Sequence, residues 1–432
     1  LLTGVVYNEM KGNYSSHDSI ASEWCYRSIF PDTTYGVDSG GDPREIPKLT
    51  YEDFVAFHRR YYHPSNARIF LYGNIPTQRY LEFLDERFLS RFDRRDEDIY
   101  VGLQKRWDEP REVTAHYPAD GAEAERKSSV TLNWLLFPAT DPFLALAFGV
   151  LADALIGTSG SPLQKALVES GLGEDLSAPT GYETELRQAV FSVGLRGTDE
   201  SKKGEIEALI HRVLRQLAEE GIDEELVEAS LRRVEFRNRE IRGGGPQGLR
   251  ELRKAMRGWL HGEHPANYLD FSTNFSELQE RLKREPRYLE GLITEYLLEN
   301  THRSTVIVKP DSELAEREAR ELRAELAQMA DAMSEEERRR LEEENKALRE
   351  LQQAPDPPEE LAKIPFLRLQ DIPREVVKIA GGWEPLGDVP LHSHGVFANG
   401  IVYVDFAFDL HDLTPGEEAY LPLLSHSLTE TG

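Results

Sequence analysis

The spacing of apolar residues divides this chain into elements. Phe54, Phe57 and Tyr61 recur at helical intervals after Thr50-Tyr51-Glu52-Asp53, which has the spacing of a capping box, and Pro64 ends that helix. Ala67 to Gly73 reads as a strand and Tyr80 to Phe92 as a helix. Further strands are predicted at Ser129 to Leu136, Ala189 to Arg196 and Ser304 to Lys309. Helices are predicted over Pro142 to Ile156, Gly157 to Ser170, Lys203 to Glu219, Glu224 to about Arg242 and Arg287 to Leu298. Gly243-Gly244-Gly245-Pro246 breaks the fourth of these. Leu322, Leu326, Met329 and Met333 form the narrow seam of an amphipathic helix. A second capping box, Ser334-Glu335-Glu336-Glu337, starts another helix with Leu341, Leu348 and Leu351 on its seam. The pair predicts a helical hairpin, closed by Pro355-Asp356-Pro357-Pro358. Strands resume from Ile364, chiefly Gly400 to Phe406. At the front, a helix near Leu2 to Ser15 carries Val5, Val6 and Met10 on or near one face with Glu9 beside it. Phe30 to Leu49, rich in Gly, Pro and Asp, is a loop.

The order of elements repeats in outline, and 432 residues exceed one compact core. Residues 1–108 are read as the C-terminal part of a first α+β domain, and 109–310 as a second. The hairpin spans 311–358, and 359–432 begins a third α+β domain that is not completed.

Composition narrows the function classes. The net charge of −26 argues against non-specific nucleic-acid binding, which needs clustered cations, and favours basic partners. No apolar run approaches the roughly 18 residues of a spanning helix, so no membrane association is expected. Leu1-Leu2 has no basic region before it and does not read as a secretory signal. One cysteine, Cys25, excludes an intrachain disulfide and a thiolate metal cluster. A small buried hydrophobe is the better reading of Cys25 than a nucleophile.

The run Gly4-Val5-Val6-Tyr7-Asn8-Glu9-Met10-Lys11-Gly12 is followed by Phe30-Pro31-Asp32-Thr33-Thr34-Tyr35-Gly36 through Asp42-Pro43, then by Tyr61-Tyr62-His63-Pro64-Ser65-Asn66-Ala67-Arg68. That order resembles the presequence-protease branch of the pitrilysin/insulysin zinc metallopeptidases. Ser161-Pro162-Leu163-Gln164-Lys165-Ala166-Leu167-Val168-Glu169-Ser170-Gly171-Leu172-Gly173 resembles a run in the family's second domain, and Asn399-Gly400-Ile401-Val402-Tyr403 the start of its second half. The resemblance implies repeated α/β-roll domains joined by a hinge, here the helical hairpin. It implies one Zn²⁺ per complete enzyme, with Glu9 as the third ligand. The other two ligands and the general base lie in that family on an H-x-x-E-H helix, expected upstream of Leu1, so no catalytic residue is assigned within this chain.

The chemistry agrees with that division. A catalytic zinc takes about three protein ligands and keeps one position open to activate water. Two His at i and i+4 share a helix face, and a hard carboxylate from elsewhere completes the set. The implied activity is ATP-independent cleavage of unstructured peptides, of the targeting-peptide type, inside a closed chamber. Basic peptides suit an acidic chain, and the remaining segments of the same polypeptide are the other expected partners. This segment alone is expected to be inactive, and to be cytoplasmic in a prokaryote or in an organelle matrix in a eukaryote. The alternative is a non-catalytic peptide-binding or assembly subunit of the same fold. A structural protein acting through the hairpin has the least support.

Four other features point less clearly to a site. His261-Gly262-Glu263-His264 places its imidazoles at i and i+3 around a turn, a poor metal site. His392-Ser393-His394 puts two imidazoles on one strand face, more simply a surface strand or loop. His58 and His63 flank a helix end, where capping or packing is expected. Ser39-Gly40-Gly41-Asp42-Pro43 lacks the Lys of a phosphate loop and reads as a shaped loop near the active cleft.

Overall fold

The computed structural model describes residues 4–119, 128–241 and 246–430. They fall into two units, Leu1–Asn238 with Arg242–Glu375, and Arg239–Ile241 with Val376–Gly432. The predicted glycine break at 243–245 and the first residues of the predicted N-terminal helix lie outside the described residues.

The first unit opens with α1 (Val5–Asn13), α2 (His17–Ile29), α3 (Tyr51–Tyr61) and α4 (Thr77–Arg87). A sheet follows, built from β1 (Arg111–Pro118), β2 (Ser128–Pro138), β3 (Asp175–Leu176), β4 (Gly181–Glu183), β5 (Gln188–Thr198) and β6 (Arg303–Asp311). Its order is β1-β6-β2-β5-β3, with β4 also on β5. Among the described strands only β1 and β6 run parallel, in register Arg111↔Ser304 to Pro118↔Asp311. The intervening helices are α5 (Pro142–Ile156), α6 (Pro162–Val168), α7 (Lys203–Glu220), α8 (Glu224–Arg239), α9 (Gln247–Trp259), α10 (Ala266–Leu269), α11 (Phe271–Arg284) and α12 (Tyr288–Ile293).

The predicted strands and helices of this region are present. Helix α5 begins where expected because Pro142 fixes the first turn and the Asp141 carboxylate accepts from the Leu144 amide at 2.9 Å. Helix α2, strand β1, the short strands β3 and β4 and the run from α9 to α11 went unpredicted.

Strand β2 shows how the sheet is packed. Val130, Leu132, Trp134 and Leu136 point into the main core with α5, α7 and α12. The alternate residues Ser129, Thr131 and Asn133 are equally buried, on the other face. Helix α2 covers that face through Ile20, Ala21 and Cys25, which pack on Ala115, Tyr117, Val306 and Val308. A layer of paired polar groups lies there. Ser192 Oγ donates to Asn133 Oδ1 at 2.7 Å, Ser28 Oγ meets Ser304 Oγ at 2.7 Å, and Thr131 Oγ1 donates to Ser177 Oγ at 2.9 Å. Each of these buried hydroxyls and the amide thereby keeps a partner.

Ala67 to Gly73, predicted as a strand, has no ladder partner among the described residues and runs as coil. Strand propensity acts only where a neighbour offers its amides and carbonyls, and Ile69 and Leu71 stay exposed. After β6 come α13 (Leu314–Ala332) and α14 (Glu335–Gln353). Both halves of the Ser334–Glu337 capping box form. The two predicted seams do not bury each other, for neither helix contains a buried residue.

In the second unit, β7 (Gly382–Leu386) and β8 (Val389–Ser393) form a two-residue-loop hairpin, with Gly387 at φ +65°. The predicted strand Gly400 to Phe406 is coil, again without a described partner strand. Trp383 pairs across the hairpin with His392 and stacks on it at 4.2 Å, and His394 lies edge-on to His392 at 4.2 Å.

Candidate functional site

Helix α1 positions Glu9, and it is anchored from one side. Tyr7 and Met10 are its buried residues, while Glu9 is exposed together with Val5 and Val6. The predicted apolar face is thus corrected. At 100° per residue, Tyr7 and Met10 mark the packed side and Val5, Glu9 and Gly12 share the opposite one. Glu9 is presented outward by a helix fixed from behind.

Two contacts provide that fixation. The loop after Phe30 reaches α1 at Gly40, where an added Cβ would overlap Met10 Sδ and sit 3.1 Å from its Cε. Only a glycine lets the backbone approach so closely. The loop consumes its own amides, as Asp38 Oδ1 accepts from the Gly40 amide at 2.8 Å and Asp42 Oδ1 from the Arg44 amide at 2.9 Å. That is why it is no phosphate cradle and instead forms a shaped support for α1. At the other end of α1, Arg27 of α2 donates to Tyr14 Oη at 2.7 Å and to Glu23 Oε1 at 2.7 Å.

Tyr14, Glu23 and Arg27 line a cleft of about 630 Å³ with Asp38, Thr114 of β1 and Arg317 of α13. Burial pushes the Tyr14 hydroxyl and the Glu23 carboxyl above their ordinary values, with Arg27 working against both shifts. Glu9 itself does not line this cleft; Asn13 and Tyr14, one turn further on, do. The sequence carried no signal for the Tyr14–Arg27–Glu23 chain, because α2 itself was not predicted.

The other sequence candidates divide clearly. Cys25 is buried and its thiol is raised to about 12 by that burial, which leaves no nucleophilic thiolate. His63 Nδ1 accepts from the Ser65 amide at 3.2 Å and caps the turn at Pro64, and His58 stacks on Tyr62 at 4.7 Å. His261 and His264 flank a turn at Gly262, φ +96°. Among the described residues, no group of three or more His, Cys, Asp or Glu side chains is arranged to hold a metal. Glu9 therefore offers one hard oxygen donor, not a coordination set, and no catalytic step follows from these residues alone. No described helix is long and apolar enough to cross a membrane.

Comparison with known proteins places this arrangement. Residues 48–234 match the family model described as peptidase M16 inactive domain, and residues 308–432 the one described as associated with subfamily C of the same M16 peptidases. The chain is 38% identical over 99% of its length to presequence protease 1, chloroplastic/mitochondrial, of Arabidopsis thaliana, of which it covers 40%. It belongs to the M16 peptidase family. This M16 chain is also 38% identical, over 99% of its length, to Protein HypA of Clostridium perfringens, of which it covers 44%. It spans less than half the length of these curated relatives. The crystal structure of a peptidase M16 inactive domain from Pseudomonas fluorescens superposes with a TM-score of 0.52 at 15% identity, over 71% of this chain and 70% of that one, and so shares the α+β M16 fold.

Proposed function

We propose that this M16 chain is part of an ATP-independent zinc metalloendopeptidase of the presequence-protease kind, with Glu9 as one zinc ligand. The observation that carries the reading is Glu9 on the outward face of α1, in an Asn8-Glu9-Met10-Lys11-Gly12 run, on a helix held from behind by Met10 and Gly40. A helix fixed in this way presents a carboxylate with little reorganisation, as a metal ligand must be presented. Zinc bound by a complete set would polarise water for attack on a peptide carbonyl. This chain's share is to supply and orient one anionic oxygen.

The substrates in this reading are unstructured, targeting-type peptides enclosed between two halves joined by α13 and α14. A net charge of −26 attracts the basic members of that class. The four-part division at 1–108, 109–310, 311–358 and 359–432 belongs to the same proposal. So does the expectation that the chain alone lacks activity.

One observation favours a second reading, a non-catalytic peptide-binding or assembly subunit. Residues 48–234 match a domain described as inactive. The two readings separate by experiment. The 432-residue chain alone is expected to leave an unstructured basic peptide uncut, with or without a chelator. Chelator-sensitive hydrolysis by that chain would overturn the expectation. In the longer polypeptide translated from the upstream reading frame, Glu9→Gln is expected to lower zinc content and cleavage together while circular dichroism stays unchanged. Full zinc loading in that variant removes Glu9 from the site. A reading frame without an H-x-x-E-H helix favours the second reading.

A further inference from the structure

Helices α5, α8, α9 and α11, with β4, line a second cavity of about 340 Å³. It shares no lining residue with the cleft beside α1. Ala145, Leu146, Val234 and Phe271 give it apolar walls. Its charged lining is Arg237, Lys254 and Arg257, with no carboxylate, in a chain whose net charge is −26. Two of these cations already have partners. Arg237 donates to the Asp153 carboxylate, and Lys254 Nζ lies 3.4 Å from Glu251 Oε1. Arg257 differs. Its Nε is sealed from water without a hydrogen-bond partner, and no described carboxylate pairs with its guanidinium. The hydroxyls of Tyr182 and Tyr268, both close enough to feel its charge, donate to the carbonyls of Ala145 and Ala139. A guanidinium withdrawn from water and left without an anion is a cost the fold carries unless something else supplies the anion.

We infer that this cavity binds a small carboxylate with an apolar body, with Arg257 as its counter-ion. The planar fork of an arginine matches a carboxylate through two parallel N–H···O bonds. The volume lies at the low end for ligand pockets, which suits one apolar residue bearing a free carboxylate rather than a long chain. The C-terminal residue of a peptide and an N-acylated amino acid both present that chemistry.

Calorimetric titration of the 432-residue chain tests this with three probes: N-acetyl-phenylalanine, its carboxamide and inorganic phosphate. The acid is expected to bind about tenfold more tightly than the neutral carboxamide, the worth of one charge-assisted contact. Equal affinity for acid and carboxamide overturns the assignment, and so does the absence of binding by either. Phosphate binding as tight as the acid marks a general anion patch and overturns the apolar-body requirement. These arms use the unaltered chain and do not depend on how a variant folds. Arg257→Met is expected to abolish the preference for the acid, and Arg257→Lys to retain part of it. A preference that survives Arg257→Met overturns the role of Arg257. A dipeptide ending in phenylalanine, titrated alongside, tells a peptide terminus from an acylated amino acid.

Discussion

His302 lies flat on Trp107, ring centroids 3.8 Å apart and planes 16° apart. The imidazole is fully buried and used at both nitrogens. Nδ1 accepts from the Trp107 amide at 3.2 Å, and Nε2 donates to the Ile29 carbonyl at 3.0 Å. One ring thus ties together the end of α2, the segment before β1 and the start of β6. Burial lowers its pKa from 6.5 to about 4, against the Ile29 carbonyl, which favours the charged ring. Between those values the unfolded chain takes up a proton that the folded chain refuses. Stability is therefore fully present above about pH 6.5 and is lost as the pH falls toward about 4. His302→Gln is expected to be less stable at neutral pH and to lose stability less steeply on acidification. His17, His211 and His261 are shifted in the same direction by burial and leave a residual slope. Urea midpoints at about pH 7 and about pH 5 measure both effects, and an unchanged slope in the variant would exclude His302 as a source.

The contact between Gly40 and Met10 predicts a reciprocal pair of variants. Gly40→Ala drives a methyl group into Met10 Sδ and places it 3.1 Å from Cε of that residue and 3.3 Å from Asp38 Oδ1. Relief requires α1 or the loop to shift, at about 1–3 kcal/mol for an overpacked contact. Met10→Ala removes the obstacle, so the double variant is expected to lose less than the two single losses summed. Hydrogen exchange of the α1 amides reads this locally, where a global melt is insensitive. Strict additivity would show that the loop does not support the helix that presents Glu9.

Much of this fold was legible in the sequence where one element carries its own pattern. Helix α5 was, because apolar residues fill it and Asp141-Pro142 mark its start. Strands β2, β5 and β6 were, because each is a long β-branched or aromatic run. Helix α2 was not. Its buried set of Ile20, Ala21, Cys25, Ser28 and Ile29 is mixed with Asp18, Ser19, Ser22 and Glu23, and it faces a polar layer of the sheet. Burial there depends on Ser304 and Asn133, far away along the chain. Strand β1 shows only Ala115 and Tyr117 as a buried alternation, and its parallel pairing with β6 is non-local. Ala67 to Gly73 and Gly400 to Phe406 err in the opposite sense, with strand-forming residues and no described ladder. The motif marked Glu9, but the helix periodicity pointed to the wrong packed face. The missing clue was the loop glycine behind Met10.

Asn133 at the centre of the polar layer makes a further prediction. Its Oδ1 accepts from Ser192 Oγ at 2.7 Å, and its Nδ2 lies 3.4 Å from both oxygens of Ser304. Asn133→Ala leaves the Ser192 hydroxyl buried without that acceptor, at about 1–3 kcal/mol. Adding Ser192→Ala removes the stranded hydroxyl and is expected to recover part of the loss. Denaturant titration of the two variants decides it. A further loss in the double variant would mean that packing, not hydrogen bonding, dominates at this layer.

Asp153 near the end of α5 predicts an asymmetry. Arg233 of α8 donates to its Oδ2 from Nε at 2.8 Å and from Nη2 at 2.7 Å, and Arg237 donates to Oδ1. The carboxylate side chain is 6% exposed, whereas those of Arg233 and Arg237 are 34% and 53% exposed. Removing the acid leaves two cations that reach water. Removing both cations leaves a charge that does not. Asp153→Asn is therefore expected to cost about 1–2 kcal/mol, through weaker hydrogen bonds. Arg233→Met with Arg237→Met is expected to cost about 3–5 kcal/mol, as for an uncompensated buried charge. The double variant should also regain stability on mild acidification, since protonation relieves the stranded carboxylate while the intact chain has no such charge to relieve. Comparable losses at neutral pH, or a loss in the double variant that acid does not soften, would show that α5 and α8 are joined by packing and not by this ion pair.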